Sequence, residues 1–328
     1  MRIGLVGCGK IGARHLEGYR SLDQVELVVA DHDEATAERF ARQWDVRAVP
    51  LAKLFDQELD ALDVSVPSAA HHTWIVRALD AGLHVFCEKP LCLSSPEGEE
   101  IREAARRAGR NVIVGYLYRY HPSFRFAKET LDHGIIGAPH FALARLGGRG
   151  SHRSWKHEAG NGGGAVFEMM VHVLDLLAWL LGPLEEGRLL FEEVLVSTRE
   201  IEDRTVIPTA GDCAVVSLRA GGVRSLCQSD LATPSFMNHV EVHGSNGSIL
   251  ASILDFIPTI VYCNEPRVLF DRGHNIRRFG PVNLFARELS SFVETIRSGE
   301  LNEWSLLESL ELARFVDSFM DRGHADLS

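Results

Sequence analysis

Two groups of residues in this chain are suited to proton chemistry. Glu88-Lys89-Pro90 follows the apolar run His84–Cys87. A proline restricts the backbone of the residue before it, so the direction in which Lys89 leaves the chain is fixed. A lysine placed in this way can hydrogen-bond to a hydroxyl or take its proton. The same residues also allow a surface lysine paired with Glu88. Glu168, His172 and Asp175 stand at i, i+4 and i+7 of the run Ala165–Leu181, which puts them on one face of a helix. The surrounding positions are Met, Val, Leu and Trp, among which three ionisable groups are costly to bury without partners. This points to a site in which His172 acts as acid or base and a carboxylate sets its tautomer. Metal ligation and a satisfied structural histidine are the alternatives, and no second ligand cluster accompanies the first.

The elements that must position these groups begin at the first residues. Arg2-Ile3-Gly4-Leu5-Val6 runs into Gly7-Cys8-Gly9-Lys10-Ile11-Gly12, and Asp31 closes a second apolar run, Val25–Ala30. Strand, glycine turn, helix, strand and acid in that order form the dinucleotide fingerprint. Gly7 permits the sharp turn, Gly9 lets the backbone approach a pyrophosphate, and Gly12 lets the helix pack close to the strand. The helix starting near Lys10 points unpaired amides and the positive end of its dipole at the phosphates. Asp31 is placed to accept from the ribose hydroxyls and to repel a 2′-phosphate, so NAD is favoured over NADP. A protonated His32 would partly offset that repulsion. A positive nicotinamide and partial burial would both lower the pKa of Lys89.

With 328 residues the chain exceeds one typical core, and two domains are expected. Hydrophobic residues make up 45% and charged residues 24%, ordinary values for a globular protein. The formal net charge is −11, which argues against nucleic acid and anionic membranes as partners. No signal peptide and no run of about 20 apolar residues is expected. Six cysteines without a CxxC pair fit buried thiols in a reducing cytoplasm.

From Arg2 to about Gly115 strands and helices alternate, which predicts a doubly wound parallel sheet. Its strands are Ile3–Val6, Val25–Ala30, Leu62–Val66, His84–Cys87 and Val112–Gly115. Ligands in such sheets bind beyond the carboxyl ends of the strands. After Pro122 the pattern becomes a helix, a strand, a polar glycine-rich stretch, the apolar helix 165–181 and a succession of strands from Leu189–Thr198 to Thr259–Cys263. This predicts an α+β domain with an open, largely antiparallel sheet. Two helices, Phe285–Arg297 and Leu306–Met320, end the chain, and the domains are drawn at 1–120 and 121–328. The loop Ser151–His157, with Trp155 at its centre, is either a polyol-closing loop or a solvated connection.

The combination resembles the glucose–fructose oxidoreductase/inositol dehydrogenase (Gfo/Idh/MocA) family over essentially the whole length. The matching pieces are Gly7–Gly12, Pro67 with His71 after it, Ala81-Gly82-Leu83-His84-Val85 running into Glu88-Lys89-Pro90, Gly115 through Arg119 to Pro122, and Gly162-Gly163-Gly164 leading to His172-Val173-Leu174-Asp175. The resemblance implies NAD(P)-dependent oxidation or reduction of a sugar, cyclitol or related polyol. It also implies an open sheet that pairs chains into homodimers or homotetramers. It makes Lys89 and His172 the catalytic pair and places Arg119 and Asp175 near the substrate, to which the residues' own positions add Tyr118, Trp155 and Glu168. On the cofactor side it adds Lys10, Ile11, His32, Val66, Pro67, His71, Glu88, Lys89 and Arg119 to the glycines and Asp31.

Two positions depart from the family pattern. Glu168 stands where the family has Asp, and Met170 where it has Gly. A displacement of about 1 Å can cost roughly a hundredfold in rate, so the pocket is reshaped and a fixed carboxylate–histidine dyad is not implied. The expected activity is an NAD-dependent dehydrogenase acting on a secondary hydroxyl, with Glu168 tuning His172. An NAD-retaining enzyme that cleaves or isomerises a glycoside by transient oxidation is a second reading. A non-catalytic NAD-binding sensor is a third.

Overall fold

Ile3, Leu5, Val28, Val29, Leu62, Val64, Val85 and Phe86 are all buried in short consecutive runs. Runs apolar on both sides belong to strands covered on both faces, which is how a parallel sheet flanked by helices is built. The computed structural model describes residues 1–148, 153–233 and 238–325, with side chains through Met320. It divides into two compact units, Met1–Leu117 with Asn283–Ala313, and Tyr118–Val282 with the chain from Arg314 on.

The first unit contains β1 (Arg2–Val6), α1 (Lys10–Tyr19), β2 (Glu26–Ala30), α2 (Glu34–Trp44), β3 (Arg47–Ala48), β4 (Ala61–Val64), α3 (His71–Asp80), β5 (His84–Glu88), α4 (Ser95–Ala108) and β6 (Val112–Gly115). The strand order is β3-β2-β1-β4-β5-β6, and every pair is parallel. The order reverses direction at β1, so the C-terminal ends of β1 and β4 flank the switch point where such sheets take ligands.

The second unit contains α5 (Pro122–Asp132), β7 (Pro139–Gly147), α6 (Val171–Leu181), β8 (Leu184–Glu193), β9 (Arg199–Ile201), β10 (Arg204–Val206), β11 (Cys213–Ala220), β12 (Val223–Asp230), β13 (His239–Gly244), β14 (Gly247–Ser252), β15 (Thr259–Cys263) and β16 (Gly273–Arg277). Eight strands form one sheet in the order β16-β15-β14-β13-β7-β12-β11-β8. All its neighbours are antiparallel except β7 and β12. α5 packs on β14, and α6 packs on β7, β8, β11 and β12.

Three sequence expectations need correction. α7 (Leu284–Ser298) and the start of α8 (Trp304–Ala325) belong to the first unit rather than to a domain covering 121–328. The apolar face of α7, Leu289, Phe292 and Val293, completes the core formed by Ile3, Leu5, Leu16 and Phe86. The strand drawn over Leu189–Thr198 begins at Leu184 and stops at Glu193, and β9, β10 and β16 were not expected. The segment 159–181 is long and apolar enough to cross a membrane. It is mostly buried within its own unit and carries the buried Glu168 and Asp175, so its apolarity serves a core.

The expected helix 165–181 is not uniform. Val166–Met170 forms a π turn, and the α-helical repeat starts at Val171. π turns are rare single-turn features that concentrate at functional sites. The wider turn rotates Glu168 relative to His172, so the i, i+4 spacing does not place them as a regular α-helix would.

Candidate active site

In the first unit, β1 ends in a turn that only glycine can make. Gly7 has φ +104°, and a Cβ there would clash with the Ser65 carbonyl. A Cβ on Gly12 would run into the Gly7 carbonyl, so α1 lies against the turn as tightly as backbone allows. Gly9 caps α1 without a side-chain hydrogen bond, and a Cβ on it would meet no atom within 4 Å. Lys10 is exposed and Ile11 half-buried at this helix start. Unpaired helix amides facing open space form a cradle of the kind that takes a pyrophosphate. A dinucleotide therefore fits these residues.

Asp31 closes β2 and is almost fully buried. Its Oδ2 accepts from Cys8 N at 2.8 Å and its Oδ1 from Asp33 N at 3.0 Å. The carboxylate is thus fixed against the glycine turn. The exposed imidazole of His32 lies 2.7 Å from Oδ1. Burial, with Asp31 adding to it, pushes the Cys8 thiol up to about 12, so this cysteine stays protonated.

The end of β5 is held from two sides. Glu88 Oε2 accepts from Lys89 N at 3.2 Å, and Glu88 Oε1 lies 3.1 Å from Nε2 of His15. Beyond Lys89, Nδ1 of His71 lies 2.6 Å from Pro90 O. Burial pushes His71 below the ordinary histidine value, so its ring is neutral, and its Nε2 lies 3.0 Å from Val66 O. His71 is therefore occupied with the carbonyls of Val66 and Pro90. Pro67 is exposed just beyond β4, and Lys89 is half-buried.

Sequence reasoning missed His15 and Asp63. Both are fully buried, His15 on α1 and Asp63 on β4, with Nδ1 of His15 2.8 Å from Asp63 Oδ1. Burial opposes charge on His15, but Asp63 and then Glu88 outweigh it and hold the imidazolium up to about 10. The available signals were a charged residue inside an apolar strand and a histidine on the buried face of α1, beside Leu16 and one turn before Tyr19.

In the second unit, the π turn and α6 carry Glu168, His172 and Asp175. His172 is half-buried, and its ring lies 4.7 Å from that of Tyr118 at an angle of 49°. Nε of Arg119 donates to both oxygens of Asp175 at 3.1 Å, and an Nη of Arg119 reaches Oδ1 at 2.5 Å, a forked pair with Asp175 buried. Arg119, expected on the cofactor side, is in the second unit with its guanidinium on Asp175.

Glu168 is buried and accepts from Lys156 Nζ at 2.5 Å. Lys156 was read only as part of a polar loop. Its loop is tied to the glycines before the π turn: Gly163 N donates to Glu158 O at 3.0 Å and Gly164 N to Lys156 O at 2.9 Å. The Lys156 ammonium also lies 5.2 Å from the centre of the Trp155 ring. Ser151 and His152 of this loop lie outside the described residues. Among the described residues no cluster of three or more His, Cys, Asp or Glu has metal-binding geometry.

The family model described as "Oxidoreductase family, NAD-binding Rossmann fold" matches residues 1–116, and the one described as "GFO/IDH/MocA C-terminal domain" matches 124–250. The dTDP-3,4-didehydro-2,6-dideoxy-alpha-D-glucose 3-reductase of Actinomadura kijaniata is 29% identical over 328 residues, spanning 97% of this chain and 94% of that protein. The myo-inositol 2-dehydrogenase of Thermotoga maritima is 29% identical over 311 residues, spanning 92% and 89%. Levoglucosan dehydrogenase in complex with NADH shares the fold at a TM-score of 0.86 and 19% identity, with 98% and 96% coverage. Matched in order along both units, the chain belongs to the Gfo/Idh/MocA family of oxidoreductases acting on sugars and polyols, with that family's NAD-binding Rossmann fold as its first unit.

Proposed function

We propose that this protein is a dehydrogenase that oxidises a secondary hydroxyl of a sugar, inositol or related polyol with NAD. The observation that carries this reading is Lys89, held at the end of β5 by Glu88 and Pro90 in the unit that contains the glycine cradle. When bound, the nicotinamide supplies the acceptor for the hydride that leaves the carbinol carbon. Lys89 hydrogen-bonds the hydroxyl and assists loss of its proton, which makes hydride departure easier. His172, backed by the Tyr118 ring, carries the proton as acid or base. The forked Arg119–Asp175 pair orients the sugar. Glu168 is shared with Lys156, so its part is to hold the ammonium in place beside Trp155.

Asp31 supports NAD as the preferred cofactor, because a carboxylate fixed at the end of β2 would face the ribose hydroxyls and oppose a 2′-phosphate. The relatives include enzymes of inositol and of a dTDP-deoxysugar, so the test panel spans free cyclitols, aldoses, glycosides and nucleotide-linked ketosugars. Turnover of at least one of these with NAD⁺, and a higher kcat/KM with NAD⁺ than with NADP⁺, is the expected result. A clear NADP⁺ preference would remove the argument from Asp31.

We further propose that copies of the chain assemble through the face of the eight-stranded sheet opposite α5 and α6. The register aligns Ile276, Ile260, Leu250, Glu241, Leu143 and Leu226 in one row across six strands. Leu226, Tyr262 and Ile276 on this face are 38%, 37% and 53% exposed. Apolar surface of this extent marks an interface. Light scattering should give the mass of a dimer or tetramer, and Leu226→Arg with Ile276→Arg should lower it. A monomer in the unaltered protein would contradict the proposal. The six free, buried thiols support a reducing, cytoplasmic setting.

A further inference from the structure

We propose that His15 and Asp63 are positioning residues for Lys89, acting through Glu88 to fix the backbone that carries it and to offset the negative charge beside it. The inference rests on Lys89 being the group that meets the substrate hydroxyl. His15 lies where three elements converge. Its Nδ1 is 2.8 and 3.0 Å from the two oxygens of Asp63 on β4, and its Nε2 is 3.1 Å from Glu88 Oε1 on β5. Both ring nitrogens thus face carboxylate oxygens. A neutral ring carries one proton and would leave one contact as a lone pair against an anion. Two carboxylates, one at each ring nitrogen, therefore select the imidazolium.

The consequence for Lys89 follows from charge. Glu88 is the adjacent residue, and its second oxygen is bound to the Lys89 amide. A carboxylate on the neighbouring residue favours the ammonium and works against release of its proton. The buried imidazolium draws on the other oxygen of Glu88 and offsets that field. Asp63, itself fully buried, is what keeps the imidazolium charged out of water. The other titratable groups around His15 do not replace it. Tyr19 on α1 and Cys87 on β5 are pushed well above their ordinary values, mainly by burial, so both remain neutral. Glu288 on α7 adds a carboxyl near Tyr19, and the Phe86 and Phe285 rings pack against the imidazole at 5.4 and 5.6 Å. His15 faces Glu88 from within this cluster. On the other side of Lys89, neutral His71 fixes Pro90 O without adding charge.

Two measurements on the NAD-bound protein test this without any substrate. Imidazole ¹⁵N spectra of the unaltered protein should show both His15 nitrogens protonated at pH 8. The titration midpoint of Lys89 is then read by ¹³C lysine labelling, with the signal assigned by its loss in Lys89→Arg. His15→Gln should raise that midpoint by about one pH unit, and Glu88→Gln should lower it. His15→Gln with Asp63→Asn keeps the cavity filled and its charges balanced, provides a folded variant if the single change does not fold, and should also raise the midpoint. A singly protonated His15 at pH 8 would overturn the proposal, as would a midpoint moving the same way in the His15 and Glu88 variants or in neither. Absence of turnover on every polyol would defeat the dehydrogenase reading and leave this electrostatic result standing.

Discussion

Lys89→Ala should lower kcat by about 10²–10⁴-fold, the usual contribution of a positioned acid or base, with NADH affinity unchanged. The lysine follows the end of β5, while the glycine turn and Asp31, the groups proposed to hold the dinucleotide, follow β1 and β2. Removing the amine therefore deletes the proton acceptor and leaves the cradle intact. Lys89→Arg should not restore the rate, because a guanidinium stays protonated across the working pH range and cannot accept a proton. The losses should fall on kcat and kcat/KM together, as for an interaction made in the transition state. Steady-state kinetics with calorimetric NADH titration reads both quantities. Full turnover in Lys89→Ala would remove the proposed role.

His15→Leu should cost about 3–5 kcal/mol of stability, because it leaves the fully buried Asp63 carboxylate without the imidazolium it faces. The pH dependence has a definite sign. The folded-state value for His15 lies at about 10, above the ordinary ~6.5. A raised value contributes stability that is fully present below about 6.5 and is lost as the pH rises through about 10. The gap between the unaltered protein and His15→Leu, read as urea midpoints at pH 6, 8 and 10, should narrow with increasing pH. His15→Leu with Asp63→Leu should recover much of the loss, since replacing a whole buried ion pair by apolar residues is often neutral. A gap that widens toward pH 10 would contradict an imidazolium at this position.

The parts of this molecule that were legible in the sequence are those whose requirement is local. Gly7 and Gly12 announce a backbone turn that other residues cannot make, and the acid at the end of the next strand completes the signature. Apolar runs of strand length between amphipathic helices gave the parallel sheet and its order of elements for the same reason. What stayed hidden depends on neighbours distant in sequence. Asp63 in an apolar strand looks like an interruption until His15 is seen against it. Lys156 and Glu168 meet because a π turn rotates one and glycine backbone anchors the loop of the other. No periodicity reports a π turn, so the i, i+4 argument for Glu168 and His172 assumed a regular helix. α7 lies in the first unit because its apolar face completes that core, which chain order cannot reveal.

The most direct test of the central claim is isotope transfer. Each polyol of the panel, deuterated at its carbinol carbons, is mixed with the enzyme and NAD⁺ in a single turnover, and the nicotinamide is then analysed by mass spectrometry. The dehydrogenase reading predicts one deuterium per enzyme site in released NADH from at least one polyol, and about 10²-fold less in Lys89→Ala over the same interval. No deuterium in the nicotinamide from any polyol would contradict it, as would glycoside cleavage that leaves the cofactor bound and unreduced at the end of turnover.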